Sequence, residues 1–128
     1  MLELANISMV VRDIEKSVRF YSNMLDFTVS KQKRSLSSTV AHLKHGNIVL
    51  ELIQYTKAES SPQPAGVIDH LTFMVEDLKG TVDKLQRRGV EFETSSPLQS
   101  FDGSQIMFLK GPDRERIAII NILGKDSH

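Results

Sequence analysis

Two short stretches, Asn6-Ile-Ser-Met-Val-Val-Arg-Asp13 and His70-Leu-Thr-Phe-Met-Val-Glu-Asp77, decide how the chain is read. His70 follows Asn6, and Asp77 follows Asp13, by the same 64 residues, so the two align without a gap. Each alternates as a strand does and ends on an aspartate whose side chain can cap a helix. After Asp13 the apolar residues Ile14, Val18, Tyr21 and Leu25 recur at helical spacing, with Phe20 and Met24 widening the stripe; after Asp77 the stripe is Leu78, Val82 and Leu85. Asp26 and Gly89 stand where the helices should stop, both residue types that tolerate a left-handed backbone. The match is that of an internal duplication.

Further strands follow in each half. Phe27–Lys33, Ser38–Lys44 and Ile48–Tyr55 come after the first helix, with a tight turn at His45-Gly46-Asn47. Val-Glu-Phe-Glu at 90–93, Gln105–Leu109 and Arg116–Ile122 come after the second, the last two around Lys-Gly-Pro-Asp-Arg-Glu. Residues 56–68, with two prolines, paired serines and a glycine, form a connector. The chain therefore reads as one α+β domain, 1–128, of two βαβββ modules at 5–55 and 69–123, with helices near 13–25 and 77–88.

Composition narrows the function. Lys plus Arg and Asp plus Glu number 16 each, so the net charge is zero, which argues against a general nucleic-acid or polybasic membrane binder. With no cysteine, disulfides, thiolate metal sites and a thiol nucleophile are ruled out. No apolar run approaches the roughly 20 residues of a membrane helix, and the N-terminus has no basic-then-apolar leader. The expectation is a cytoplasmic protein.

Strand alternation sorts the side chains by face. Ile7, Met9 and Val11, then Leu71, Phe73 and Val75, should pack under the helices, as should Ile48, Leu50 and Leu52. The opposite face then carries Asn6, Ser8 and Val10; His70, Thr72 and Met74; Val49, Glu51 and Ile53; and Arg116, Ala118 and Ile120. This mixture of polar and apolar residues suits a small-molecule pocket. Glu51 is the most telling, because a carboxylate in an apolar strand is costly when buried and unpaired. It reads as a general base or metal ligand, and His70 as its partner in proton transfer. His42 and His45, near the hairpin turn, read as solvated, and His128 as a tail residue.

The stretches ISMVVRDIEKSVRFYSNMLDF, VLELIQY, DHLTFMVEDL and FLKGPDRERIAII resemble the vicinal oxygen chelate superfamily, which includes glyoxalase I, methylmalonyl-CoA epimerase, extradiol dioxygenases and bleomycin-resistance proteins. The resemblance runs from about Ala5 to Ile122. It implies paired βαβββ modules, each cupping a mixed sheet around a small-molecule site, often in a homodimer. Exposed sheet residues such as Val49, Ile53 and Met74 would want the cover a homodimer gives.

The resemblance also implies four metal-ligand positions, which fall here on Asn6, Glu51, His70 and Ala118. Asn6 offers only an amide oxygen and Ala118 offers nothing. The standard metal site is therefore not expected, although a divalent Zn, Ni or Mn ion held by Glu51 and His70 is the alternative. Extradiol dioxygenase activity, which needs the first, third and fourth positions, is not expected. The first functional reading is a glyoxalase-like protein that binds a small hydrophobic or carbonyl compound through Asn6, Ser8, Glu51, His70, Thr72 and Ala118, needing no cofactor. The second is a lyase or isomerase, like lactoylglutathione lyase or methylmalonyl-CoA epimerase, with Glu51 and His70 catalytic. A vestigial pocket in an interaction protein is the third.

Overall fold

In the computed structural model, which describes residues 2–99 and 103–121, eight strands and two α-helices follow one another. Their order is β1 (Glu3–Val10), α1 (Ile14–Leu25), β2 (Thr28–Arg34), β3 (Ser38–His45), β4 (Ile48–Tyr55), β5 (Ile68–Val75), α2 (Leu78–Arg87), β6 (Leu98–Gln99), β7 (Gln105–Lys110) and β8 (Arg116–Asn121). This is βαβββ twice, as the aligned stretches predict. Contacts gather Asn6–Asp69 into one compact unit, and the described residues from His70 onward, with residues 2–5, into another. The predicted ends of the last strand at Ile122 and of the second module at residue 123 lie outside the described residues, as does His128.

In the first unit the strands lie in the order β2-β3-β4-β1. β4 pairs parallel with β1, setting Ile7 opposite Leu50 and Ser8 opposite Glu51. The β2–β3 and β3–β4 pairs are antiparallel. Asp13 caps α1 by accepting the Lys16 backbone N–H at 3.2 Å, and Asp26 ends it with a φ of 63°. Val11, Ile14, Ala41, Leu43 and Leu52 form the buried core, with Met9, Val18, Tyr21 and Phe27 packed against it. Met9, Val11 and Leu52 thus sit beneath the helix, as alternation requires. The connector folds back on β1: Val10 N–H donates to the Val67 carbonyl at 3.1 Å, and Gly66 N–H to the Val10 carbonyl at 2.7 Å.

The second unit repeats the plan in the order β5-β8-β7-β6. β5 runs parallel to β8, with Thr72 opposite Ala118, and β7 pairs antiparallel with β8. Asp77 caps α2 by accepting the Gly80 N–H at 3.0 Å. A Cβ on residue 80 would press on the Asp77 carboxylate, which would have to shift; at the matching place in α1 the Asp13 cap accommodates Lys16. Val75, Leu78, Met107 and Ile119 make this unit's core, flanked by Val82, Leu85, Phe92 and Leu109.

Three expectations are corrected. Phe20 and Met24 do not widen the buried stripe of α1, and Leu25, expected within it, stands at the last residue of the helix; all three are exposed, while Ile14, Val18 and Tyr21 of the stripe pack on the core. Ile48 begins β4 at the turn and is exposed, so the inward run of that strand starts at Leu50. Residues 90–93 form no strand: Phe92 makes a single bridge to Leu109, and Glu93 N–H reaches the Phe108 carbonyl at 2.8 Å. The Thr-Ser-Ser-Pro run that follows cannot sustain a ladder, since proline lacks the N–H and the hydroxyls turn back on the backbone, as Thr94 Oγ1 does to the Ser96 carbonyl at 2.7 Å.

No described helix is long and apolar enough to cross a membrane. We expect Leu52→Ala to cost about 2–5 kcal/mol, as for a large-to-small change in a closed core. Asp13→Ala and Asp77→Ala should each cost about 1 kcal/mol through loss of a cap. Urea unfolding of the three variants checks both values, and equal losses at all three sites would contradict this division between core and cap.

Candidate functional site

The turn between β3 and β4 is short, and its first residue, Gly46, has a φ of 61° that glycine adopts without steric cost. It pairs His45 with Ile48 and hence, three pairs along, His42 with Glu51. On the other side β1 places Ser8 opposite the same Glu51. One carboxylate is therefore flanked by an imidazole and a hydroxyl from its two neighbouring strands.

All three groups are joined. Ser8 Oγ donates to Glu51 Oε1 at 2.5 Å, and His42 Nε2 lies 2.7 Å from Glu51 Oε2. The Glu51 and His42 side chains are only 14% and 13% exposed, and Ser8 is fully buried. Asn6 Oδ1 lies 3.3 Å from Ser8 Oγ. The hydroxyl has one hydrogen to give, and the shorter contact, to a carboxylate, is the stronger of the two. Hydrogen bonding on both oxygens offsets the desolvation of the carboxylate inside an apolar strand. Asn6, Ser8 and Glu51, three of the six residues expected to form the site, are thus brought together in the first unit.

His70, Thr72 and Ala118, the other three, lie in the second unit. Thr72 and Ala118 are opposite one another on β5 and β8, and both are buried, as is His70. The His70 ring meets Phe108 edge-on, with centroids 5.4 Å apart. The Arg116 guanidinium lies over the same Phe108 ring, 3.6 Å from its centroid, and forks onto Glu93 through Nε at 3.1 Å and Nη2 at 2.9 Å. The registers of the two units correspond: Ser8, Glu51 and His42 in one occupy the places of Thr72, Ala118 and Phe108 in the other. A polar cluster and an apolar one have been built on the same frame.

His42 is the residue that strand-by-strand reading misses. Its place beside the turn suggests a solvated ring, yet it is largely buried against Glu51. The signal lay in the hairpin: a two-residue turn at Gly46-Asn47 sets the pairing of the whole ladder. His45 does sit in the open, with Nδ1 3.2 Å from the Asp26 carbonyl.

The residues at the four metal positions do not fit the divalent ion that the resemblance implies. Ala118 has no donor atom and Asn6 brings a neutral amide, while both Glu51 oxygens already accept hydrogen bonds. Among the described residues no three His, Asp or Glu side chains gather. A hollow of about 820 Å³, lined by Arg12, Arg34 and Gln54 among others, does not include Glu51 in its lining.

Comparison with known proteins agrees with this architecture. A family model described as the Glyoxalase/Bleomycin resistance protein/Dioxygenase superfamily matches residues 3–119. The uncharacterized protein YwkD of Bacillus subtilis (strain 168) is 30% identical over 117 residues, covering 85% of this chain and 88% of that one. A probable lactoylglutathione lyase of Synechocystis is 26% identical over 121 residues, covering 90% and 92%. Among solved structures, methylmalonyl-CoA epimerase from Mycobacterium tuberculosis superposes with a TM-score of 0.81 at 18% identity, over 92% of this chain and 86% of that one. A hypothetical protein from Bacillus halodurans C-125 reaches 0.82 at 20% identity, over 94% of each chain. At such identities the structural likeness shows the fold.

The pairing of His42 with Glu51 generates a double-mutant cycle. Glu51→Ala removes the carboxylate that His42 and Ser8 share, and His42→Phe takes one hydrogen-bond partner from Glu51; each should cost about 1–3 kcal/mol. The double variant carries the residues that the second unit has at these places. It should be more stable than the sum of the single losses by about 1 kcal/mol or more in urea unfolding. Strict additivity would mean that the two side chains do not interact.

Proposed function

Since the chain belongs to the glyoxalase/bleomycin resistance protein/dioxygenase superfamily, we propose that it binds a small carbonyl compound on the face that bears Glu51, without the family's four-ligand metal centre. The observation that carries this reading is the largely buried Glu51 carboxylate, oriented by Ser8 and His42 in an otherwise apolar strand. Small-molecule sites are mostly apolar with a few fixed polar groups that choose the ligand, and Glu51 is such a group. A carboxylate held on both oxygens suits a ligand that presents an N–H, an O–H or an acidic C–H.

The 2.7 Å contact between His42 and Glu51 favours a second reading, a lyase or isomerase that moves a proton next to a carbonyl. Glu51 takes the proton from the carbon beside the carbonyl. The electrons of that C–H bond pass to the carbonyl oxygen as an enolate, and return when the carbon is reprotonated. Hydrogen-bond donors of the chain would hold the enolate oxygen. His70, in the second unit, is the candidate acid or electrophile, to be tested by His70→Ala. The names borne by two of the similar proteins, lactoylglutathione lyase and methylmalonyl-CoA epimerase, describe chemistry of this kind. A homodimer remains part of the proposal. The strand residues expected to need cover do not supply its support, since Ile53 is buried and Val49 and Met74 are half-buried within the chain; exposed apolar residues occur on α1 at Phe20, Met24 and Leu25 and also elsewhere, among them Leu2, Leu4 and Leu36.

Calorimetric titration with propionyl-CoA, the glutathione hemithioacetal of methylglyoxal and benzoate, on chelator-treated protein, tests the binding reading. At least one should bind, and Glu51→Gln should weaken it about tenfold, or ~1.4 kcal/mol. Equal binding by wild type and Glu51→Gln would remove Glu51 from the site, and no binding at millimolar ligand would defeat the reading. Solvent-deuterium uptake at the α-carbon of propionyl-CoA, followed by proton NMR, separates the two: uptake lost in Glu51→Gln marks an enzyme, and binding without uptake marks a binder.

A further inference from the structure

We propose that His42 is the positioning residue of Glu51: its Nε2–H holds the carboxylate turned to the ligand face. This rests on the reading of Glu51 as the group that meets the ligand. The two Glu51 oxygens are gripped from opposite neighbouring strands, Oε1 by Ser8 of β1 at 2.5 Å and Oε2 by His42 of β3 at 2.7 Å. Two such contacts fix the plane of a carboxylate, where one would leave it free to turn about its last side-chain bond. An ionised carboxyl has no hydrogen to give, so the hydrogen between it and His42 belongs to Nε2. Asn6 and Ala118 do not complete a metal centre, and these two hydrogen bonds act on the orientation of Glu51 from both sides.

The fold itself does not demand the histidine. At the register-equivalent place in the second unit stands Phe108, opposite Ala118, on the same kind of hairpin ladder. There an aromatic ring faces a small apolar residue across the two strands, in place of an imidazole facing a carboxylate. The His42–Glu51 pair buries two polar groups where an apolar pair suffices, and such pairs add little net stability over apolar replacements. Its presence fits a role in holding Glu51, a geometric requirement that no apolar pair meets.

Nitrogen and carbon NMR of the full chain decides the matter without any ligand. In the wild type, His42 should carry its hydrogen on Nε2. The Glu51 side-chain carboxyl signal should move in His42→Ala and return toward the wild-type position in His42→Gln, whose amide N–H can replace the donor. A hydrogen on Nδ1 alone, or a Glu51 signal unmoved in His42→Ala, overturns the proposal. Deuterium uptake by propionyl-CoA supplies the functional arm. His42→Ala should lower kcat about 10–100-fold with KM within about twofold, and His42→Gln should restore kcat to within about threefold of wild type. A loss of kcat in His42→Ala that His42→Gln does not restore also counts against positioning. If the NMR signals behave as stated while wild type takes up no deuterium, His42 still positions Glu51, and it is the proton-transfer reading that fails.

Discussion

The site depends on the register of the β3–β4 hairpin. Gly46 takes a positive φ at the first position of a two-residue turn, and the ladder that follows sets every pair from His45–Ile48 to Ser38–Tyr55. Because side chains alternate between faces, a slip of one residue would carry Leu50 and Leu52 out of the core and Glu51 into it. Burial of Ala41, Leu43 and Leu52 beneath α1 holds the register from the other end. The contact between His42 and Glu51 is a consequence of this arrangement: the core selects the register, and the register delivers an imidazole to a carboxylate.

The two units show how one backbone plan accepts opposite chemistries. Both begin with a strand that ends in an aspartate cap, and both place their second parallel strand beside it in matching register. Their helix-side cores are apolar in the same positions, which is what the fold requires. On the other face the constraint relaxes. One unit has Ser8, Glu51 and His42 joined by hydrogen bonds, while the other has Thr72, Ala118 and Phe108, with Arg116 stacked on the ring and tied to Glu93. Membership of the superfamily follows from the shared frame. The chemistry follows from the face that was free to change.

That freedom explains why a family resemblance does not transfer a mechanism. Of the four positions that the resemblance implies for a metal, Ala118 has no donor side chain and Asn6 brings only a neutral amide. Glu51, the residue best suited to be a ligand, is engaged by its own neighbours. Such a carboxylate is oriented and partly desolvated without an ion, and both properties serve recognition of a polar ligand and proton transfer alike.

Much of this was legible in the amino-acid order. The ungapped repeat from Asn6 and His70, the caps at Asp13 and Asp77, the left-handed stop at Asp26 and the inward set Met9, Val11 and Leu52 all follow from periodicity and local sterics, which a short window of sequence contains. The same alternation placed Asn6, Ser8 and Glu51 on one face. What the sequence did not disclose is decided between segments distant along the chain. Val90–Glu93 has the composition of a strand but gains only a bridge to Leu109, because pairing depends on what its neighbours allow. Phe20 and Met24 fit a helical stripe but stay exposed, because how much of α1 is covered depends on what packs against it. His42 looked like a residue beside a turn. Only the pairing of three strands surrounds Glu51 with His42 and Ser8, since hydrogen bonds between residues 43 and 9 positions apart are properties of the tertiary fold.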